Sequence, residues 1–468
     1  MIKSRLGLSI GRPAGDRPAA PWSHRLAPYL PFGLFAVLGA LLAFLWKTPC
    51  RYGGAWNDGS AQFLNFCYTD IYPLWWNEKL AEGAVPYFDH PVEYPVGIGA
   101  VMEFVRRIVG VLHTPSADDP AGGVMFYDIT ALLMAICLIA GVMLMAALAG
   151  PGRRADALWY ALAPGVVLTA YINWDLLCGV LTLGGLFAWS RRRPLLAGVL
   201  LGLAVSTKFY PLVLFGPLFV LALRTRLWRP FLTAAGGALG VWLLVNVPIA
   251  LLAFDGWKRF YVFSDERPAD WGSLWYYFQN STVPFLGTRW PLFSDPELLD
   301  TLGVFSLLVL CVGIAVLGLA APRRPRLMQL CFLVLASFML TNKVWSPQFV
   351  LWLVPLAVLA RPNWKPLALW QVAEIWYFLA IWLYLVALTP GKEALGISID
   401  TYFTAVWARA ITIMIIMAFV VRDILRPEAD VVRQGGADDP SGGVFDGAED
   451  RFVLDLSGGR AAYPPLRL

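Results

Sequence analysis

The chain has 468 residues, of which 58% are hydrophobic and only 15% are charged, and its mean hydropathy is +0.61. A soluble domain does not need so much apolar surface, whereas a bundle of membrane helices does. The net charge of +5 is no sign of a nucleic-acid partner, because the arginines form short clusters between apolar segments, as cytoplasmic membrane loops do. The composition therefore predicts an all-α polytopic protein of the cell membrane that binds no nucleic acid.

The N-terminal part of the chain predicts a short polar segment followed by a membrane anchor. Residues 1–25 are rich in Arg, Gly and Pro and are expected to be a cytoplasmic segment. The apolar run at 26–46 is too long for the core of a signal peptide and lacks a cleavage motif. Cys50 and Cys67 follow in the first outer loop, where a disulfide between them is possible.

The charge pattern then decides the topology. About thirteen apolar runs are candidate membrane helices, and short basic clusters separate many of them. All of these clusters can be cytoplasmic only if the run at 94–112, which carries Glu103, Arg106 and Arg107, does not cross, since such charges are costly in lipid. We expect an interfacial helix there, and about twelve spans within residues 26–422 with both termini inside.

This topology places the unusual polar motifs together on the outer, periplasmic side. They are the first loop (47–123), Asn173-Trp174-Asp175, Lys208-Phe209-Tyr210-Pro211, a second large loop (254–298), and Asn342 to Gln348. Polar residues gathered at one face of a membrane bundle indicate a shared site. Residues 423–468, rich in Gly, Asp and Pro, are predicted to be a disordered cytoplasmic tail.

Asp70 is the first candidate for a catalytic base. It follows Tyr68-Thr69 in the first outer loop and precedes Trp75-Trp76, so a carboxylate and aromatic rings lie close together. An acidic, aromatic-rich loop at the membrane face suits chemistry on a lipid-carried substrate, in which a carboxylate accepts the proton of an attacking hydroxyl. The alternatives are a helix-capping or solvated Asp70, or Asp58 as the base, although the sequence around Asp58 is typical of an ordinary turn.

Four further residues are candidates for substrate binding at the outer ends of helices. Glu93 begins the interfacial helix with Tyr94, and it either caps that helix or binds an acceptor hydroxyl. Trp174 and Asp175 end a polar motif at the edge of a span. A carboxylate at that depth is expensive without a partner, so Asp175 has either a structural partner or a role in the site.

Three cations are candidates for contacts with a substrate phosphate. Lys208 and Lys343 each lie at an outer helix end beside an aromatic residue and a proline, and the alternative for either alone is a lysine that extends its ammonium to the interface. Arg267 in the second large loop is the third. Gln348 closes the Lys343 motif and is a further substrate contact. Only three His occur, so a His-based metal cluster is not expected.

Taken in order, these motifs resemble those of the GT-C-type membrane glycosyltransferases, and in particular glycosyltransferase family 87, the actinobacterial polyprenyl-phosphate-mannose-dependent alpha-mannosyltransferases. The resemblance covers roughly residues 26–422. It rests on Tyr68-Thr69-Asp70, Pro86-Tyr87, Glu93-Tyr94-Pro95, Asn173-Trp174-Asp175, Lys208 to Pro211 and Asn342 to Gln348.

The resemblance implies a GT-C-like bundle whose site faces the periplasm. It implies that an acid in the first outer loop, at the position of Asp70, acts as base in a single inverting displacement. The donor would be a polyprenyl phosphate sugar and the acceptor a glycolipid or cell-envelope glycan, with membrane lipids around both. Neither a nucleotide sugar nor a catalytic metal is implied, and thus no cofactor.

Three alternatives remain open at the level of sequence. Related enzymes transfer mannose or arabinofuranose, so an arabinofuranosyltransferase is the nearest alternative. A lipid or sugar transporter, or a flippase, is a second; it would place ionisable residues or broken helices near the bilayer midplane. A membrane scaffold without catalysis is the third, and it would not need matched lysines and carboxylates.

Overall fold

The computed structural model describes residues 27–113, 120–281, 295–434 and 436–455, and the predicted N-terminal segment 1–25 lies outside these ranges. The described residues are helical and contain no strand, only an isolated bridge between Pro86 and His90. This confirms the all-α prediction. The first ten α-helices are α1 Leu30–Trp46, α2 Thr48–Gly53, α3 Ala61–Leu64, α4 Ile71–Asn77, α5 Val96–Leu112, α6 Pro120–Ala149, α7 Leu158–Leu162, α8 Pro164–Thr169, α9 Asp175–Ser190 and α10 Pro194–Val205.

The second half of the chain continues the bundle with longer apolar helices. They are α11 Phe215–Thr225, α12 Trp228–Leu252, α13 Phe254–Glu266, α14 Leu274–Asn280, α15 Pro296–Ala320, α16 Leu327–Thr341, α17 Val350–Ala360, α18 Trp364–Ala387 and α19 Ile399–Leu425. Helices α16 and α17 are buried on nearly all sides and form the centre of the bundle. Much of the apolar surface of α12 and α15 is exposed, as expected of helices that face lipid.

Six helices among the described residues are long and apolar enough to cross a membrane, and five shorter apolar helices accompany them. The predicted count of about twelve spans is therefore not confirmed. The difference arises where prolines divide apolar runs. The run after residue 156 is split at Pro164 into two short helices, and 3-10 turns at Pro211 and Pro347 shorten the helices that follow them.

Small residues explain the close contact between α10 and α12. A Cβ atom added to Gly198 would collide with the carbonyl oxygen of Ala234, and one added to Gly202 would lie 2.5 Å from the carbonyl oxygen of Ala238. Glycine at these two positions, four residues apart, lets the two backbones touch. Membrane helices commonly associate through such small residues at this spacing.

Helix α5 has the amphipathic character predicted for an interfacial segment. Its buried face carries Ile98, Met102, Val105 and Val109, spaced three or four residues apart. On the other side, Glu103 forms ion pairs with Arg106 at 2.7 Å and Arg107 at 2.6 Å. The helix is not among those long and apolar enough to span a bilayer, and its place at the membrane interface stays a prediction.

The predicted disordered tail is instead folded between residues 427 and 455, apart from position 435, which the structure does not describe. Asp430 pairs with Arg326 at 2.7 Å, and both side chains are only 2% exposed. Asp438 pairs with Arg324 at 2.6 Å, and Phe445 is fully buried. The reason is electrostatic, because buried arginines at the helix ends need counter-charges and the acidic segment supplies them.

The bundle thus has two chemically different ends. Helix α9 runs from Asp175 at one end to Trp189 at the other, where the indole of Trp189 donates to the carbonyl of Gly442 in the folded tail. Helix α16 runs back, from Arg326 beside the tail to Thr341. The basic clusters gather at the tail end, and the polar motifs named in the sequence gather at the opposite end.

Candidate active site

A cavity of about 860 Å³ opens at the end of the bundle opposite the folded tail. Its size suits a sugar with part of a lipid carrier. Seven of the nine predicted site residues line it, and they come from five separate parts of the chain: Asp70, Glu93, Tyr94, Lys208, Arg267, Lys343 and Gln348. The structure thus brings these seven residues together at one cavity, and their role in a shared site stays a prediction.

Asp70 lies at the start of α4, and its backbone is fixed from both sides. Its amide donates to the carbonyl of Ile172 at 2.8 Å, and the neighbouring Thr69 hydroxyl donates to the carbonyl of Tyr171 at 2.8 Å. The side chain of Asp70 makes no capping bond to α4 and turns to the cavity instead. The alternative of a helix-capping aspartate is thus not what the structure shows.

The surroundings of Asp70 favour a carboxylate that can take up a proton. Burial raises the pKa of the Asp70 carboxyl above its usual value. The Tyr68 hydroxyl, the Lys208 charge and the Asn173 amide act in the opposite direction, since each favours the ionised form. A base works best when its pKa lies nearer the working pH than that of a free aspartate.

Asp58, the alternative base, has a local role. Its carboxylate is exposed, accepts from the amide of Ser60 at 3.0 Å and from that of Ala61 at 3.3 Å, and does not line the cavity. These bonds close a turn before α3, which is the ordinary function of an aspartate at such a position. The geometry therefore favours Asp70 over Asp58.

Two predicted substrate contacts, Trp174 and Asp175, do not line the cavity. Both are fully buried behind its wall, and the reason is the turn that begins α9. The ring of Trp174 packs edge-on against Tyr94, with centroids 5.4 Å apart. Asp175 pairs with Lys208 at 2.9 Å and accepts from the indole of Trp352 at 2.8 Å. They hold residues of the site in place rather than touch its contents.

Each candidate phosphate cation has a carboxylate partner. Lys208 is paired with the buried Asp175, as described, and its ammonium lies over the rings of Phe349 and Trp352 at 5.7 and 5.5 Å. Arg267 and Asp270 are 3.6 Å apart, the longest of these pairs. Arg267 is also 37% exposed, so a phosphate can reach its guanidinium without breaking a close ion pair.

Lys343 is more tightly engaged than the sequence indicated. Its ammonium pairs with Asp300 at 2.7 Å and donates to the carbonyl of Asp265 at 2.8 Å, and the side chain is only 5% exposed. A phosphate would have to displace one of these acceptors. Gln348 is 6% exposed, and its side-chain oxygen has no hydrogen-bond partner among the described residues. A buried amide oxygen without a donor is a site for a polar ligand group.

The comparison with known families agrees with this site. Residues 117–342 match the family model described as glycosyltransferase family 87. The matched range is just under half of the chain, and over it the chain is similar to this family of glycosyltransferases. No curated protein matches the chain significantly. The family resemblance inferred from the motifs is thus confirmed over the matched range, which contains Asn173, Lys208 and Arg267, whereas Asp70 and Gln348 lie outside it.

Glu93 has a partner that the sequence did not indicate. Its carboxylate pairs with Arg259 of α13 at 2.7 Å, and the residue at the start of α5 is Pro95, without a side-chain cap. Of the two roles left open for Glu93, capping has no side-chain bond in the structure, and the contact with an acceptor hydroxyl stays a prediction for a residue that lines the cavity. The pair also fastens α13, which brings Phe260 and Phe263 to the cavity.

Lys47 supports the segment that carries Asp70, although no sequence motif singles it out. Lys47 is 1% exposed, and its ammonium donates to the carbonyl of Tyr68 at 2.6 Å, two residues before Asp70. Cys50 and Cys67 form a disulfide that ties the same two segments together, which confirms the pairing considered from the sequence. The sequence signal that points to Lys47 is its position as a single lysine at the end of an otherwise apolar helix, because such a charge needs a buried partner.

Proposed function

We propose that the protein transfers a sugar from a polyprenyl phosphate donor to a hydroxyl of a glycolipid or cell-envelope glycan, with mannose as the sugar and the outer membrane face as the location. The observation that carries the proposal is the presence of a half-buried carboxylate, Asp70, and two cations, Lys208 and Arg267, in one cavity. An acid and a pair of cations in one place are the minimum that this transfer requires.

The reaction is a single displacement at the anomeric carbon. The acceptor oxygen forms the new glycosidic bond while the bond from that carbon to the phosphate oxygen breaks, and the configuration inverts. Asp70 accepts the proton of the acceptor hydroxyl, and the polyprenyl phosphate leaves with the bonding electron pair. No nucleotide takes part.

Exposure decides which of the three cations that line the cavity contact the departing phosphate. Lys208 and Arg267, whose side chains are 15% and 37% exposed, are the primary contacts, because charge-assisted hydrogen bonds to a phosphate strengthen as negative charge develops. Lys343 acts with them only when a phosphate displaces Asp300. Its first role in this scheme is to hold the start of α15 against the second large loop.

The walls of the cavity fit amphiphilic substrates. Phe209, Phe260 and Phe263 lie beside the cations, with the rings of Phe209 and Phe260 5.4 Å apart. Trp382, Leu385 and Leu388 form a second apolar wall near Tyr68. Aromatic and aliphatic walls around a few polar groups are suited to sugars on lipid carriers.

The test is an assay of the purified protein in lipid nanodiscs. It receives radiolabelled polyprenyl-phosphate mannose, or the arabinofuranose counterpart, together with a lipid extract of a bacterial envelope. We expect mannose to appear in an extractable glycolipid. Transfer of arabinofuranose alone would establish the second candidate, for which the same carboxylate and cations suffice. In a parallel assay in sealed proteoliposomes, movement of the labelled lipid across the bilayer without a new glycosidic bond would support a transporter instead.

A further inference from the structure

The carboxylate of Asp70 is held by one hydrogen bond on each of its two oxygens. The hydroxyl of Tyr68 donates to Oδ1 at 2.6 Å, and the side-chain amide of Asn173 donates to Oδ2 at 3.4 Å. An ionised carboxylate has about four acceptor positions, two on each oxygen. Each oxygen of Asp70 therefore keeps one direction in which it can receive a proton.

We propose that Tyr68 and Asn173 are positioning residues that fix the orientation of the Asp70 carboxylate and so determine the direction from which an acceptor hydroxyl is deprotonated. The inference rests on the proposed function, in which Asp70 is the base. Neither residue needs to touch the reacting atoms to act in this way. We call Tyr68 and Asn173 the carboxylate clamp.

Tyr68 is itself fixed by its neighbours. Its ring packs against Phe63 and Trp382, with centroids 5.7 and 4.7 Å away, and these two rings also stack on each other. The carbonyl of Tyr68 accepts from Lys47 at 2.6 Å. Burial raises the pKa of the Tyr68 hydroxyl well above its usual value, so it remains a donor. The phenol cannot turn away from Asp70 without leaving this aromatic cluster.

Asn173 is fixed from the opposite side of the carboxylate. It is 2% exposed, and its side-chain oxygen accepts from the amide of Asp175 at 3.1 Å. That bond orients the amide so that its nitrogen faces Asp70. The same turn places Asp175 beneath Lys208, and hence the base and the phosphate cation are set by neighbouring residues of one tripeptide.

The charges around Asp70 predict what removal of the clamp does. Lys208 lowers the pKa of the Asp70 carboxyl, Asp175 and burial raise it, and the two clamp bonds lower it. Lys47 and the phenol of Tyr94 are the remaining ionisable groups that act on it from the packed segments. Without a donor on the carboxylate, the neutral form becomes easier to reach, and the pKa moves upward.

The experiment compares Tyr68→Phe, Asn173→Asp and a control, Tyr72→Phe. The first variant keeps the stacked ring and loses only the hydroxyl, whereas the second replaces a donor by a like charge. Tyr72 is a buried tyrosine whose hydroxyl donates to Asn57 at 2.7 Å and does not line the cavity. Two readouts are used: the pH profile of kcat/KM, and infrared titration of the Asp70 carboxyl, identified by its loss in Asp70→Asn.

We expect the pKa of Asp70 to rise by about 1–2 pH units in Tyr68→Phe and at least as far in Asn173→Asp. The acidic limb of the kcat/KM profile should move to higher pH with it. Tyr72→Phe should leave both readouts in place. An unchanged carboxyl titration in both clamp variants, or an equal shift in Tyr72→Phe, would overturn the inference. Because the infrared readout needs no turnover, a protein that shows this shift but transfers no sugar would refute only the proposed function.

Discussion

Lys208 and Asp175 form an ion pair of 2.9 Å in which the carboxylate is fully buried and only Lys208 lines the cavity. The indole of Trp352 donates to the same carboxylate oxygen at 2.8 Å. The pair therefore holds a cation at the cavity wall with little freedom of movement. A preorganised cation stabilises a departing phosphate without having to reorient during the reaction.

Lys208→Gln should raise the KM for the lipid-linked donor by about 10–100-fold, because a charge-assisted contact worth about 1.5–3 kcal/mol is lost. The KM for the acceptor should change little. Initial rates at varied donor and acceptor concentrations measure both values. The control is Lys365→Gln, an exposed lysine at the other end of the bundle. Equal changes in the two KM values would contradict a phosphate contact.

Asp70→Asn should lower kcat by about 10²–10⁴-fold, the usual contribution of a general base. The amide keeps the shape of the side chain, so expression and thermal unfolding should resemble those of the wild type. Asp58→Asn is the matched control, since its carboxylate only closes an exposed turn. If Asp58→Asn lost activity while Asp70→Asn kept it, the assignment of the base would be reversed.

The activity should fall in acid at a higher pH than a free aspartate would produce. Asp70 must be ionised to accept a proton, and burial raises its pKa above the ordinary value of 3.8. Activity is therefore present above this raised pKa and is lost as the pH falls through it. A pH profile of kcat/KM measures the limb, because this ratio reports the free enzyme. A limb at or below pH 3.8 would argue against Asp70 as the group observed.

Reduction of the disulfide should weaken the site together with the first outer loop. Cys50 and Cys67 are 17 residues apart in sequence, and closing a loop of this length contributes about 3 kcal/mol to stability. The double variant Cys50→Ser/Cys67→Ser should unfold at a lower temperature and lose transfer activity. Cys311→Ser, a half-buried free cysteine on α15, is the control. A double variant as stable as the wild type would show that packing alone holds Lys47 beside Tyr68.

The folded tail should stabilise the bundle. Asp430→Asn leaves Arg326 buried without its counter-charge, which is expected to cost about 3–5 kcal/mol, because both side chains are only 2% exposed. Truncation after Arg426 should cost at least as much. Thermal unfolding in detergent measures both, with the exposed Glu428→Gln as control. A truncated chain with an unchanged midpoint would mean that the arginines are satisfied without the tail.

The sequence by itself determined the class of protein and pointed to seven residues that line the cavity. Apolar runs of membrane length and basic clusters between them predict a helical bundle, because lipid admits few other structures. Because the charged helix α5 is not expected to cross, the polar motifs all fall on the outer side of the predicted membrane. This is why Asp70, Lys208 and Arg267 could be named together before their distances were known.

Only the tertiary structure decided how these residues are used. Asp175 looked like a substrate contact, but the turn at the start of α9 buries it beneath Lys208. The acidic tail looked unstructured because its composition is polar, yet its carboxylates meet buried arginines more than 100 residues away in sequence. Ion pairs and hydrogen bonds across such separations follow from how helices pack, and local composition does not record them. The carboxylate clamp on Asp70 is another such long-range contact, since Asn173 lies 103 residues from Asp70 along the chain.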